Sequence, residues 1–210
     1  MNTWFKLFVG VFFATSPLFA QAFTSKHSIT LGFGPSIPGE DLARPFKGSP
    51  SLSVAYGYMY RPHFQIDLGV DTVVGAADVQ DATFTAYGPM QIRDYQFLLP
   101  IGVRGVLPLG RDRVRLGAGA GGAYLHYTEL LDQPDENTNV PCAVCTSRNG
   151  WAYYGLGALD YFMDEGRHFR VGATAKFYRG RTTGHAFGGV PSSKTNDRWL
   201  VFSLHFGLSF

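Results

Sequence analysis

The sequence predicts an all-β fold: a closed, eight-stranded antiparallel up-and-down β-barrel that spans a membrane, preceded by a signal peptide. Three observations predict it. After the first two dozen residues, stretch after stretch alternates large apolar residues with small or polar ones, and no long stretch carries a helical apolar period. Glycine (26), phenylalanine (18) and tyrosine (11) are abundant, a composition of strands and turns. The connections between the alternating stretches are by turns short and long.

The elements follow in order. Lys6 precedes an apolar run, Leu7 to Phe19, which Pro17 interrupts, and Ala20-Gln21-Ala22 supplies a small-x-small cleavage site. This is the layout of a cleaved export signal over residues 1–22, leaving 23–210 as the barrel domain. The run is short of the ~20 apolar residues of a spanning helix. Strands are predicted near His27–Pro35, Ser51–Tyr60, His63–Val74, Arg93–Val106, Arg113–Tyr127, Trp151–Phe162 and His168–Arg179, with the eighth in the terminal WLVFSLHFGLSF. Each is about long enough to cross a bilayer at a tilt, for which ~9–11 residues suffice. Three connections are short: Arg61-Pro62, Leu107 to Asp112, and Asp164-Glu165-Gly166. Four are long and polar: Ser36 to Pro50, Gly75 to Ile92, Thr128 to Gly150, and Gly180 to Arg198. Short turns on one side and long loops on the other fit a barrel in an outer membrane, turns in the periplasm and loops outside.

Closure explains the last strand. An unpaired sheet edge is intolerable in lipid, so the eighth strand is expected to pair with the first. Leu200, Phe202, Leu204, Phe206, Leu208 and Phe210 then face lipid, and Val201, Ser203, His205, Gly207 and Ser209 face the lumen. Tyr58, Tyr60, Phe64, Tyr161, Phe169 and Phe210 fall near the periplasmic strand ends, and Tyr95, Tyr124, Trp151 and Tyr153 near the outer ends. Two such aromatic girdles are expected at the two interfaces.

On these residues the chain resembles the small eight-stranded outer-membrane barrels of the OmpA/OmpX type. The resemblance covers essentially the whole exported part and is architectural, with the terminal strand as its one motif. It implies residence in the outer membrane of a Gram-negative-type bacterium, contact with outer-membrane lipid and lipopolysaccharide, and a terminal insertion signal (Phe206, Leu208, Phe210) read by the barrel-assembly machinery. The chain stops with the barrel, so no peptidoglycan-binding domain is expected after it.

By strand parity Asp67, Asp71, Arg104, Arg115, Asp160, Arg170, Lys176 and His205 face the lumen. Charges in a narrow lumen have to be paired. The expectation is an ion-pair network in the periplasmic half joining Asp67 and Asp160 to Arg104, Arg115 and Arg170, which holds the barrel shut. An eight-stranded barrel is only wide enough to be filled by side chains. The alternative is a narrow channel or small-solute transporter, with lumen glycines leaving wet space.

Charge is near balance, 18 Lys+Arg against 16 Asp+Glu, and no basic patch suggests nucleic acid. No cofactor or metal site is expected. Gly117, Gly119 and Gly122 form a literal G-x-G-x-x-G, but no helix follows, and the reading is a strand packed closely on its neighbours. Cys142 and Cys145 lie in the third long loop, where the oxidising compartment favours a local disulfide over a redox or zinc site. The long loops are a possible surface for a ligand. The third is acidic (Glu129, Asp132, Asp135, Glu136). The fourth is basic (Arg179, Arg181, Lys194, Arg198), close enough to the outer leaflet to meet lipopolysaccharide phosphates. Some small outer-membrane barrels modify lipid A with a late His-x-Ser dyad, and that strand here reads KFYRGR. His126-Tyr127-Thr128 is the nearest approximation, with Glu129 beside it. The expected protein is therefore not an enzyme but a structural barrel or a carrier of surface loops.

Overall fold

The computed structural model describes residues 25–76, 88–109, 113–131, 142, 144–187, 190 and 192–210, and the backbone of 82–85. The predicted signal peptide lies outside the described residues, as do Asp132, Asp135 and Glu136.

Nine strands form one sheet: β1 (His27–Glu40), β2 (Ser49–Arg61), β3 (Phe64–Val74), β4 (Ala82–Thr85), β5 (Gly88–Leu109), β6 (Val114–Leu131), β7 (Ser147–Phe162), β8 (Phe169–Gly184) and β9 (Thr195–Ser209). Every neighbouring pair is antiparallel. β9 pairs β1, with Phe206 opposite Leu31, and β3 pairs β5, with Leu68 opposite Ile101. The sheet thereby closes on itself. β4 is a short flap that pairs only with the outer end of β5, so the barrel wall has eight strands.

Alternation along β9 is complete. Phe202, Leu204, Phe206 and Leu208 are exposed, while Val201, Ser203, His205 and Ser209 are buried. The outer wall elsewhere carries Leu31, Phe33, Leu52, Phe64, Ile66, Leu68, Ile101 and Val103, all exposed. An apolar belt of this extent has no counterpart on a soluble monomer, and a bilayer covers it. At its outer rim Tyr124 meets Trp151 edge-on, with ring centroids 5.2 Å apart. At the periplasmic rim His27 stacks on Phe210 at 5.8 Å, and Tyr58 packs against His27 at 5.3 Å.

The strands run further outward than the alternation predicts. β5 has 22 residues and β6 has 18, roughly twice the ~9–11 that cross the membrane. Much of what reads as long loop is barrel wall continued into water. There the outer face meets water and carries polar residues, so the apolar period fades. The aromatic girdle consequently marks the membrane boundary rather than the strand ends. Arg181 and Arg198, within the expected fourth loop, lie instead on β8 and β9 for the same reason.

The periplasmic turn between β2 and β3 is tight, with only Pro62 and His63 between the strands. In the β7–β8 turn the Asp164 carboxylate accepts the backbone N–H groups of His168 (3.0 Å) and Phe169 (2.8 Å). Those donors, the His168 amide first, hold its carboxyl below the ordinary carboxylate value.

Candidate functional site

The barrel interior is layered. In its periplasmic half Arg104 Nε donates to Asp67 Oδ2 at 2.8 Å, and Gln65 Nε2 donates to Asp67 Oδ1 at 2.6 Å. Across the lumen the Asp160 carboxylate takes His205 Nε2 at 2.7 Å and Arg170 Nε at 3.5 Å. Arg170 Nη2 also donates to Thr30 Oγ1 at 2.7 Å, tying β8 to β1. The Arg115 guanidinium lies over the Phe162 ring, 4.3 Å from its centroid. Higher up, Lys176 Nζ donates to both oxygens of Asp71, at 2.7 and 2.9 Å, and the Tyr178 hydroxyl donates to Asp71 as well. Direct contacts therefore gather Arg104 about Asp67, Arg170 and His205 about Asp160, and Lys176 about Asp71, while Arg115 lies over Phe162.

Glycines make room for these side chains. A Cβ on Gly117 would sit 2.9 Å from Arg104 Cδ, and one on Gly172 would sit 2.7 Å from His205 Nε2 and 2.2 Å from the Leu159 carbonyl oxygen. Gly119 belongs to the same set, with a Cβ 2.5 Å from the Val103 carbonyl oxygen. The G-x-G-x-x-G stretch thus serves close strand approach on β6. The polar cavity between the groups, lined among others by Thr30, Ser53, Arg104 and His205, has a volume of about 20 Å³. That is room for about one water molecule.

The outer half of the interior holds an apolar cluster that sequence reasoning missed. Leu42 and Phe46, from the connection after β1, are buried together with Phe187 and Val190 from the connection after β8. Phe46 stacks on Trp199 with centroids 5.9 Å apart and meets Phe187 edge-on at 6.0 Å. Tyr127 closes the group 6.1 Å from Phe187, and its hydroxyl accepts Trp199 Nε1–H at 3.0 Å. Leu42, Phe46, Phe187 and Val190 therefore fill the mouth of the barrel as a plug. They sit singly in polar sequence, so no periodicity betrays them.

A buried arginine anchors this plug. Arg148, fully buried, donates from Nε to Thr182 Oγ1 (2.9 Å) and from Nη2 to Thr195 Oγ1 (2.7 Å) and the Ser193 carbonyl (3.2 Å). Thr182 and Thr195 in turn donate to Asp197 at 2.6 and 2.8 Å. The arginine and the carboxylate are thus joined through two hydroxyls across β7, β8 and β9. Arg148 reads as loop in the sequence because its strand segment lies above the apolar belt.

The remaining motifs take simple places. Cys142 and Cys145 are bonded to each other, with their Cα atoms 5.4 Å apart. His126 Nδ1 pairs with Asn149 Oδ1 at 2.6 Å. The Glu129 carboxylate accepts both the Thr146 amide and hydroxyl at 2.9 Å. His126 and Glu129 are thus each engaged elsewhere, and no His–Thr–Glu constellation forms. Phe206, Leu208 and Phe210 lie on the lipid face.

No family model matches the sequence, and no curated protein matches it. Solved structures do. The outer membrane protein OprG from Pseudomonas aeruginosa superposes with a TM-score of 0.52 at 14% identity, covering 89% of this chain and 96% of that one. Neisserial surface protein A superposes with a TM-score of 0.54 at 9% identity, covering 88% and 97%. The fold is that of the small eight-stranded outer-membrane barrels.

Proposed function

We propose that the chain is a non-catalytic barrel of a Gram-negative-type outer membrane, sealed along its axis, which supports envelope integrity and works through its outer wall and external loops. The observation that carries this reading is the double closure of the lumen. The plug of Leu42, Phe46, Phe187 and Val190 fills the outer mouth, and the paired charges about Asp67, Asp71 and Asp160 fill the rest. Dispersing that many paired charges and packed aromatics to open a path would cost several kcal/mol. A sealed barrel has its outside left to work with. The lipid face keeps it in the membrane, and the outward Phe206, Leu208 and Phe210 fit recognition of the last strand by the barrel-assembly machinery.

Deleting the gene in its host and measuring sensitivity to bile salts and large antibiotics tests this reading. Increased sensitivity, restored by the wild-type chain and equally by an Asp71→Leu/Lys176→Met chain with no lumen charge at that level, is the expected result. Unchanged sensitivity, or complementation that depends on the lumen charges alone, would overturn it.

A further inference from the structure

The outer wall is not uniform. On β1, β2, β3 and β9 the lipid-facing positions carry large side chains, among them Leu31, Phe33, Leu52 and Leu204. Midway along β7 and β8 the outward residues are small: Gly157 stands opposite Ala175, flanked by Gly155 opposite Phe177 and by Ala173 opposite Leu159. Bulky Phe33, Phe202 and Leu204 stand beside this low stretch and turn it into a groove of about 530 Å³, almost wholly apolar. A second hollow of about 630 Å³ continues it toward the periplasm past Leu159 and Tyr161.

At the outer end the same strands present cations. Arg179, Arg181 and Arg198 all point outward and are exposed. Arg179 is the register partner of Arg198 across β8 and β9, while Arg181 lies beside Trp151 and Arg179 beside Tyr153. The arginines thus sit at the height of the aromatic girdle, where headgroups lie. Arg179 and Arg181 line a hollow of about 490 Å³ with Glu40, Trp151, Tyr153 and Asn196. Its acidic neighbours are Glu40, which accepts Arg179 Nη2 at 3.0 Å, and Asp41, which accepts the Asn196 amide at 2.7 Å. Asn196 Oδ1 accepts Arg181 Nε at 3.0 Å. The Glu40 and Asn196 contacts each hold an arginine in place, and three arginines against two carboxylates leave the outward cluster a cationic excess.

We propose that the β7–β9 wall is a binding site for the phosphorylated glucosamine headgroup and acyl chains of lipid A in the outer leaflet. Guanidinium groups bind phosphate through paired, charge-assisted hydrogen bonds. The acyl chains lie along the small-residue groove below, which bulkier side chains would fill. Arginines aligned with a groove on the same strands select a lipid with an anionic head and several chains. A second copy of the barrel would bring like charges together at the same height. This inference deepens the outer-wall reading above and rests on it.

The test uses the full-length barrel extracted from outer membranes in mild detergent, with retained lipid A measured by mass spectrometry. Two variants accompany the wild type: Arg179→Gln/Arg181→Gln/Arg198→Gln, and Ala173→Leu/Ala175→Leu. The wild type is expected to retain lipid A, and each lost arginine contact to weaken retention about tenfold. The groove variant is expected to lose it while keeping the arginines. Barrel folding of each variant is checked independently by its heat-dependent gel shift. Rebinding to vesicles of purified lipid A against vesicles of phosphatidylglycerol separates the sources of phosphate. Equal binding to both vesicles, wild-type retention by the arginine variant, or a cross-linked dimer through Gly157 in place of lipid would each overturn the proposal. Failure here with intact complementation in the deletion strain would leave the envelope role standing.

Discussion

Replacing Asp71 by asparagine keeps the shape of the lumen and removes one charge. Asp71 is fully buried and receives Lys176 at 2.7 and 2.9 Å, and the Tyr178 hydroxyl as well. The variant leaves the Lys176 ammonium buried with a neutral amide in place of its counterion. Breaking a buried pair from one side costs ~3–5 kcal/mol, whereas an exposed pair costs ~0–1 kcal/mol. The burial of both partners places this pair in the first class. Urea unfolding of the barrel in phospholipid vesicles, followed by tryptophan fluorescence and by the gel shift, measures the difference. Lys176→Met should cost a similar amount, and Asp71→Leu/Lys176→Met should recover part of it, because no charge is left stranded while the buried Tyr178 hydroxyl still loses its acceptor. A loss under ~1 kcal/mol for Asp71→Asn would mean that water screens the pair, and the dry, sealed lumen would be refuted.

Four further outcomes are expected. Phe46→Ala removes a ring packed on Trp199 and Phe187 and should loosen the plug by about 3 kcal/mol, seen as protease cleavage near residues 41–47 with the gel shift intact. Gly172→Val should prevent closure, since even its Cβ meets the Leu159 carbonyl oxygen at 2.2 Å, whereas Gly157→Ala, with nothing within 4 Å, should fold normally; the gel shift reads both. Native protein should resist alkylation at Cys142 and Cys145 until reductant is added, and reduction should leave the barrel's gel shift unchanged, because the bond lies outside the wall. Asp164 has its folded-state pKa depressed by the His168 and Phe169 amides, so its contribution is present above the unfolded value and lost as pH falls through the folded one. Asp164→Ala should therefore destabilise at neutral pH and be without effect well below pH ~4 in the same urea assay.

What the sequence discloses depends on which medium each face meets. β9 was legible residue by residue, because lipid on one side and a packed lumen on the other impose opposite chemistry at every step. The inward placement of Asp67, Asp71, Arg104, Asp160, Arg170, Lys176 and His205 followed from the same parity. Partner choice did not, because it depends on height and on reach across the lumen: Lys176 meets Asp71 from the opposite wall. Above the girdle the outer face meets water, so Arg148 and Arg181 carried no strand signal. The plug was hidden for another reason. Leu42, Phe46, Phe187 and Val190 come from two connections far apart in the chain and become a core only when they meet in the same mouth.

Single-channel recording on the purified barrel in planar lipid bilayers addresses the sealed lumen most directly. The account predicts no conductance steps above the detergent baseline for the wild type across the usual voltage range. Regular, ion-selective steps from the wild-type barrel would contradict it, and the paired charges about Asp67, Asp71 and Asp160 would then have to be read as the lining of a path.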